Sequence, residues 1–215
     1  MSIFLVDTGA AGRYVGGGDE MTKRLDQLME RSGGIVRTRD AAAVGISRAS
    51  MAQYAERGHL ERICHGIYAA PDAMADEAYI MSLRYPGAVF SHGSALYLNG
   101  LAERLPVVPC ATFAANRLPA KAFRQECRCF SIAPLLHKLG LCKRKTPFGR
   151  VVPCYNAERT ICDLLRNRSR CDEETVISAL KNYAAGGAVN APLLADYANR
   201  LGIMKTLKPY MEVLL

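Results

Sequence analysis

No apolar stretch in this 215-residue chain approaches the roughly 20 residues that cross a bilayer, which excludes a transmembrane helix. The start, Met1 to Val6, is apolar but has no basic head and only a four-residue apolar core, so it does not read as a signal peptide. The cysteines are Cys64, Cys110, Cys127, Cys129, Cys142, Cys154, Cys162 and Cys171, and no two form a Cys-x-x-Cys pair. His137 has no second histidine at a zinc-finger spacing, and Cys127 and Cys129 would share one face of a strand, poor geometry for a zinc knuckle. The thiols therefore read as small buried residues of a reducing cytoplasm. Ser91, His92 and Ser94 lack the Gly-x-Ser-x-Gly elbow of a hydrolase nucleophile. There is no phosphate-binding loop and no metal-binding histidine pair. No lysine has Asp or Glu two residues before it, a pairing that metal-dependent endonucleases commonly use to hold the ion and its water. No catalytic residue, metal or cofactor is assigned, and the chain reads as something other than an enzyme.

What the chain does have is a core and an uneven positive charge. Half its residues are hydrophobic and 22% are charged, the balance of a globular protein. Its length allows one or two domains. The net charge is +8, but residues 116–170 alone carry thirteen Lys and Arg against three acids. An excess so concentrated points to an anionic partner, either nucleic acid or an acidic protein surface.

The fold expected is α+β: an N-terminal winged helix-turn-helix, then a mixed α/β domain with a small sheet and several helices. Residues 1–20, rich in glycine and without periodicity, read as a flexible extension. Leu25, Leu28 and Met29 share one face of a helix over Thr22 to Arg31, which Gly33-Gly34 stops. Ile35-Val36 can pair with a wing. Thr38 can cap a helix from Arg39 to Val44, and Ser47 can cap a second from Arg48 to Arg57. Gly45 and Gly58 end them. Leu60, Ile63, Ile67 and Tyr68 supply two short strands closed by His65-Gly66. This places the winged helix at 21–71 and the second domain at 72–215. There the pattern predicts helices over 73–84 and 91–99, the latter capped by Ser91. Strands follow over 107–114, 127–133 and 151–155. An Asn156-capped helix over 157–167 has Arg159 and Asp163 at ion-pair spacing. Further helices run over 172–185 and from Pro192 to Leu201, and an apolar end over 203–215 docks on the core.

A winged helix-turn-helix sets its second helix into the major groove. Met51, Tyr54 and Ala55 form the face that packs inward. Ser47, Arg48, Ser50, Ala52 and Gln53 form the opposite face, with no acid between Ser47 and Ala55. Arg48 can bridge guanine O6 and N7, Gln53 can pair with adenine, and Ser50 can reach a base edge or a phosphate. Arg37, Thr38, Arg39, Arg57 and Arg62 are placed for backbone contacts, and His65 at the wing tip for a minor groove. Arg124, Arg128, Lys143, Arg144, Lys145 and Arg150 form a second basic patch that could lengthen the footprint. Arg124 and Arg128 flank a strand, and Lys143 to Lys145 read as a loop.

Three blocks carry a family resemblance. Gly45-Ile-Ser, Gly58-His-Leu-Glu-Arg and His65-Gly-Ile-Tyr resemble the winged helix of the AbiEi antitoxins. Phe90-Ser-His-Gly-Ser-Ala-Leu-Tyr-Leu-Asn-Gly-Leu is similar to that family's second block, and Glu158-Arg-Thr-Ile-Cys-Asp-Leu-Leu-Arg to its third. The resemblance implies a type IV toxin–antitoxin (abortive infection) protein. Its winged helix would repress its own operon by binding double-stranded operator DNA. Its C-terminal domain would counter a nucleotidyltransferase-type toxin without a stable complex. Two other readings stand beside it: a plain winged-helix transcription factor with a sensor or oligomerisation domain, and, behind that, an enzyme acting on nucleic acid.

Overall fold

The computed structural model describes residues 20–187 and 189–214. The extension expected over 1–20 lies outside them except for Glu20, which opens the first helix. The chain separates into two compact units between Ala73 and Met74.

The first unit runs α1 (Glu20–Arg31), β1 (Ile35–Arg37), α2 (Thr38–Ala43), α3 (Arg48–Glu56), β2 (Glu61–Cys64) and β3 (Ile67–Ala69). The apolar stripe of α1 buries Leu25 and Met29 against Ile46, Met51, Leu60 and Tyr68. Ile35-Val36 does pair with the wing: the sheet order is β1-β3-β2, antiparallel throughout. Two expectations fail here. The register of β2 shifts between Arg62 and Cys64, and Ile63 is 41% exposed. A bulge turns out the residue that strand alternation would have buried. Thr38 does not cap α2, because that position falls to Arg37, whose side chain makes no capping bond. The Thr38 amide instead donates to Gly66 O at 2.9 Å, tying the helix to the wing turn.

The second unit contains α4 (Glu77–Arg84), β4 (Val89–Phe90), α5 (His92–Leu98), β5 (Cys110–Ala114), α6 (Phe123–Glu126), β6 (Arg128–Ile132) and α7 (Pro134–His137). Then come β7 (Leu141–Lys145), β8 (Val151–Tyr155), α8 (Ala157–Arg166), a 3-10 turn (Arg168–Arg170), α9 (Glu173–Ala185), α10 (Ala191–Arg200) and α11 (Met204–Leu214). Five strands form one sheet in the order β6-β5-β4-β8-β7. The β5–β6 and β4–β8 pairs are parallel and the other two antiparallel. Phe90, Ala111, Phe113, Phe123 and Val152 pack around the sheet, while Leu96, Ile161, Leu164, Leu180, Leu194 and Leu207 fill a helical core. Leu207 on α11 is fully buried, so the apolar end docks as its sequence predicts.

Several boundaries differ from the sequence reading for identifiable reasons. The helix expected from Ala73 begins only at Glu77, because Asp76 caps it, accepting the Tyr79 amide at 3.0 Å. The strand expected from Val107 begins at Cys110, and Val107 lies fully in solvent. The strand expected from Cys127 begins at Arg128. Lys143 to Lys145 are not a loop but the end of β7, paired with Val151 to Pro153 of β8. Ser91 stands at the N-cap of α5 without capping it, since its Oγ accepts the Thr112 hydroxyl at 2.8 Å.

The helix α8 is buried from Glu158 to Leu165, charged residues included. Arg159 is accommodated by partners on most of its sides. Its Nε donates to Asp163 Oδ1 at 3.0 Å, its Nη1 to Leu136 O and Leu139 O at 2.8 and 2.7 Å, and its guanidinium lies 4.2 Å from the Tyr155 ring centroid. Its Nη2 alone makes no hydrogen bond. This is the ion pair that the i, i+4 spacing predicts. All eight cysteines are free. Burial pushes the thiols of Cys154 and Cys162 up to about 12, which keeps them protonated and unreactive at neutral pH.

Candidate nucleic-acid interface

Two short helices and a wing frame the interface. Ile46, fully buried between α2 and α3, pins the turn that joins them. Gly45, at φ +83°, lets the chain reverse there without the clash a Cβ would bring. Ser47 caps α3 as expected, its Oγ accepting the Ser50 amide at 3.0 Å. The inner face of α3 carries buried Met51 with Tyr54 and Ala55 packed on the core, and the Tyr54 hydroxyl meets Thr22 Oγ1 at 3.1 Å. That orients the outer face.

On that outer face Ser47, Arg48, Ala49 and Gln53 are exposed, and Ala52 and Ser50 half-buried. Ser50 Oγ is also in contact with Ser47 Oγ at 2.9 Å, so it supports the cap as well as facing outward. Two residues of this face escape the sequence reading. Ala49 offers a bare methyl suited to close groove approach. Glu56 closes the same face one turn beyond Gln53 and is exposed. Their signal is helical spacing alone: 49, 53 and 56 stand at i, i+4 and i+7. The acid at the far end leaves the N-terminal half of α3 as the acid-free part, the half that in helix-turn-helix proteins meets base edges.

The remaining candidates differ in freedom. Arg39, Arg57, Arg62 and His65 are exposed. Arg37 is not free: its Nε and Nη2 donate to Asp40 Oδ2 and Oδ1 at 2.6 and 3.0 Å. Thr38 Oγ1 is buried and inaccessible to a phosphate.

The basic residues of the second unit do not form one surface. Their strands, β6 and β7, are the two opposite edges of the sheet. Arg124 on α6 donates from Nε to Pro119 O at 3.2 Å, and Arg128 is exposed at the start of β6. On β7 the side chains alternate: Lys143 and Lys145 are exposed, while Arg144 points to the other face and donates from Nε to Asn99 Oδ1 at 2.9 Å. The Arg150 side chain is only 12% exposed, 3.6 Å from Asp76 Oδ2 and donating to Met74 O at 3.2 Å.

Among the described residues no group of three or more His, Cys, Asp or Glu is placed to hold a metal ion, and no helix is long and apolar enough to cross a membrane.

Residues 23–71 match a protein-family model described as transcriptional regulator, AbiEi antitoxin. No curated protein matches the chain. Among solved structures, the chain is similar to the RV2827C protein from Mycobacterium tuberculosis, at 13% identity and a TM-score of 0.47, covering 87% of this chain and 82% of that one.

Proposed function

We propose that this chain, whose N-terminal domain is of the AbiEi antitoxin and transcriptional-regulator type, represses its own operon by reading operator DNA with the first half of α3. The observation that carries the reading is the acid-free outer face of α3, with Ser47, Arg48, Ala49 and Gln53 exposed on a capped helix beside a wing. Small side chains at 49 and 52 let the helix approach the groove floor. Arg48 supplies a bidentate donor for guanine, and Gln53 a donor and acceptor for adenine, each pair worth ~1–3 kcal/mol of discrimination. Arg39, Arg57 and Arg62 hold phosphates and set register, and His65 lies at the wing tip to enter the minor groove. Arg37 serves first to fix the start of α2 through Asp40, and would reach a phosphate only by leaving it.

The second unit, over 74–215, acts in this reading as the antitoxin proper, countering a nucleotidyltransferase-type toxin in the cytoplasm without a lasting complex. The family match over 23–71 supports the regulatory half directly. The second half rests on the resemblance of the blocks at 90–101 and 158–166.

A gel-shift titration on the chain's own upstream region, against a scrambled duplex at two salt concentrations, tests the first half. Tight, sequence-dependent binding is expected. Arg48→Ala should weaken binding to the operator more than to the scrambled duplex. Equal losses on both would reassign Arg48 to a phosphate, and sequence-blind binding that vanishes with salt would refute the reading. Co-expression with the neighbouring gene tests the second half: growth arrest relieved by this chain is expected, and its absence would leave a repressor alone.

A further inference from the structure

The second unit offers two places for a partner, a cavity and a strand edge. The cavity, of about 160 Å³, lies where the blocks at 90–101 and 158–166 meet. Its buried polar groups serve the fold: His92 bonds Asn167 Nδ2 at 3.1 Å and Ser91 Oγ at 3.0 Å, and Asp163 bonds Arg159. The edge is that of β7, the last strand of the sheet. β7 pairs antiparallel with β8, from Leu141 opposite Tyr155 to Lys145 opposite Val151. Beyond one end the Thr146 amide donates to Arg150 O at 2.7 Å, and beyond the other the Asn156 amide donates to Gly140 O at 2.9 Å. Hydrogen-bonded pairs recur at every second residue of an antiparallel ladder. Cys142 and Arg144 therefore bond to β8, and the amides and carbonyls of Lys143 and Lys145 point the opposite way. Among the described residues no group accepts from those two amides. The Lys143 carbonyl takes one bond, from Nη1 of the neighbouring Arg144 at 3.2 Å, and keeps a second lone pair.

The side chains beside this edge decide what it can take. Lys143 and Lys145 are exposed on one face of the strand, about 7 Å apart at the strand repeat of ~3.4 Å per residue. The pairing sets exposed Val151 beside Lys145 and half-buried Pro153 beside Lys143, and exposed Leu141 continues the row. The hairpin from Leu141 to Tyr155 carries Lys143, Arg144, Lys145 and Arg150 and no acid. A second copy of β7 laid fully along this edge would set lysine beside lysine, and like charges directly opposite destabilise a strand pair. An acidic strand reverses that sign.

We propose that the free edge of β7 binds an acidic extended peptide, which adds antiparallel as a further strand of the sheet. The peptide backbone takes up the amides and carbonyls of Lys143 and Lys145. Carboxylates at alternate positions meet the two ammonium groups, and an apolar side chain two residues further on meets Leu141. The pattern recognised is acidic-x-acidic-x-apolar, starting from the residue opposite Lys145, because alternate residues of an added strand share one face. Two adjacent acids would place only one carboxylate on the lysine face. Peptide binding of this kind concerns only the second unit and stands apart from DNA reading by the first.

Fluorescence anisotropy of the full-length protein with a labelled peptide Thr-Glu-Thr-Glu-Thr-Leu-Thr tests this. Saturable binding is expected, and hydrogen exchange of the Lys143 and Lys145 amides, followed by NMR, should slow when the peptide is bound. No saturation, or unchanged exchange at both amides, would overturn the proposal. The same peptide N-methylated at both glutamates keeps its charge but cannot donate to β7, so it should bind roughly tenfold more weakly or worse. Equal binding would mean charge attraction without strand addition and would overturn the proposal. The peptide Thr-Glu-Glu-Thr-Thr-Leu-Thr, equal in charge, should also bind more weakly, and equal affinity would refute the alternating pattern. Lys143→Gln with Lys145→Gln changes exposed side chains and should cut affinity by roughly three- to tenfold while the protein stays folded by circular dichroism. Unchanged affinity would overturn the proposal as well. Duplex DNA is the competing occupant: slowing of the same two amides by a duplex and not by the peptide would assign the edge to nucleic acid and overturn the proposal.

Discussion

Gly140 offers a sharp test of how the buried ion pair is held. It sits at φ +72°, and a Cβ added there would lie 2.5 Å from Arg159 Cβ, 3.0 Å from Arg159 Cγ and 2.9 Å from Asn156 Oδ1. None of these atoms is the free end of a flexible chain. Arg159 is locked by two carbonyls and Asp163, and Asn156 caps α8 by accepting the Arg159 amide. Gly149 provides the control: φ is +78°, yet nothing lies within 4 Å of the position its methyl would take. Both Ala variants carry the left-handed backbone penalty of ~1–2 kcal/mol, and both recover ~0.4–1 kcal/mol from a stiffer unfolded chain. Only Gly140→Ala adds the overpacking term of ~1–3 kcal/mol. The difference between the two variants therefore isolates that term. With a shift of ~2–4 °C per kcal/mol for a chain of this size, Gly140→Ala should melt ~2–12 °C below Gly149→Ala. Thermal unfolding followed by far-ultraviolet circular dichroism measures it. Equal midpoints would mean that α8 shifts freely around Arg159 and that the ion pair is not locked.

Three further outcomes follow from the same geometry. The unfolded chain protonates His92 near pH 6.5, whereas the folded chain resists until about 3, so this residue stabilises fully above pH 6.5 and loses its contribution as pH falls towards 3. Between pH 6 and 4 the wild type should lose ~1.4 kcal/mol per pH unit more than His92→Gln, as read by urea denaturation, and parallel curves would contradict this. Ser47→Ala removes the α3 cap and should destabilise the first unit by ~0.5–2 kcal/mol, lowering operator affinity along with it. If the exposed edge of β7 adds to the DNA footprint, Lys143→Gln with Lys145→Gln should flatten the slope of log affinity against log salt by ~1.8, and an unchanged slope would free that edge for another partner.

The first unit is largely legible in the sequence because its signals are local. The Ser47 cap, the inward face at Met51 and the pairing of Ile35-Val36 all follow from spacing within a few residues. Ile63 escapes because a bulge leaves no mark in a two-residue alternation. Thr38 misleads because a threonine before a helix looks the same whether its neighbour takes the capping position or not. The second unit hides more. β4 is too short to show a period. β7 reads Leu-Cys-Lys-Arg-Lys, whose charge suggests a loop, and only pairing with β8 makes it a strand. The cavity is illegible altogether, because His92 and Asp163 are seventy-one positions apart and nothing in either block names the other.

The brevity of β4 has a mechanical consequence. It is the middle strand of five, yet its ladder is two residues long, Val89 and Phe90 pairing with Thr112 and Ala111 of β5 on one side and Phe90 with Cys154 of β8 on the other, with the Ser91 amide adding one bond to Cys110 O. The sheet is thus two ribbons riveted along a two-residue seam. Protection of backbone amides from exchange should step down at that seam rather than at the sheet's rims. What holds the two ribbons together is therefore less the backbone ladder than the apolar packing of Phe90, Ala111, Phe113, Val152 and Cys154 across it.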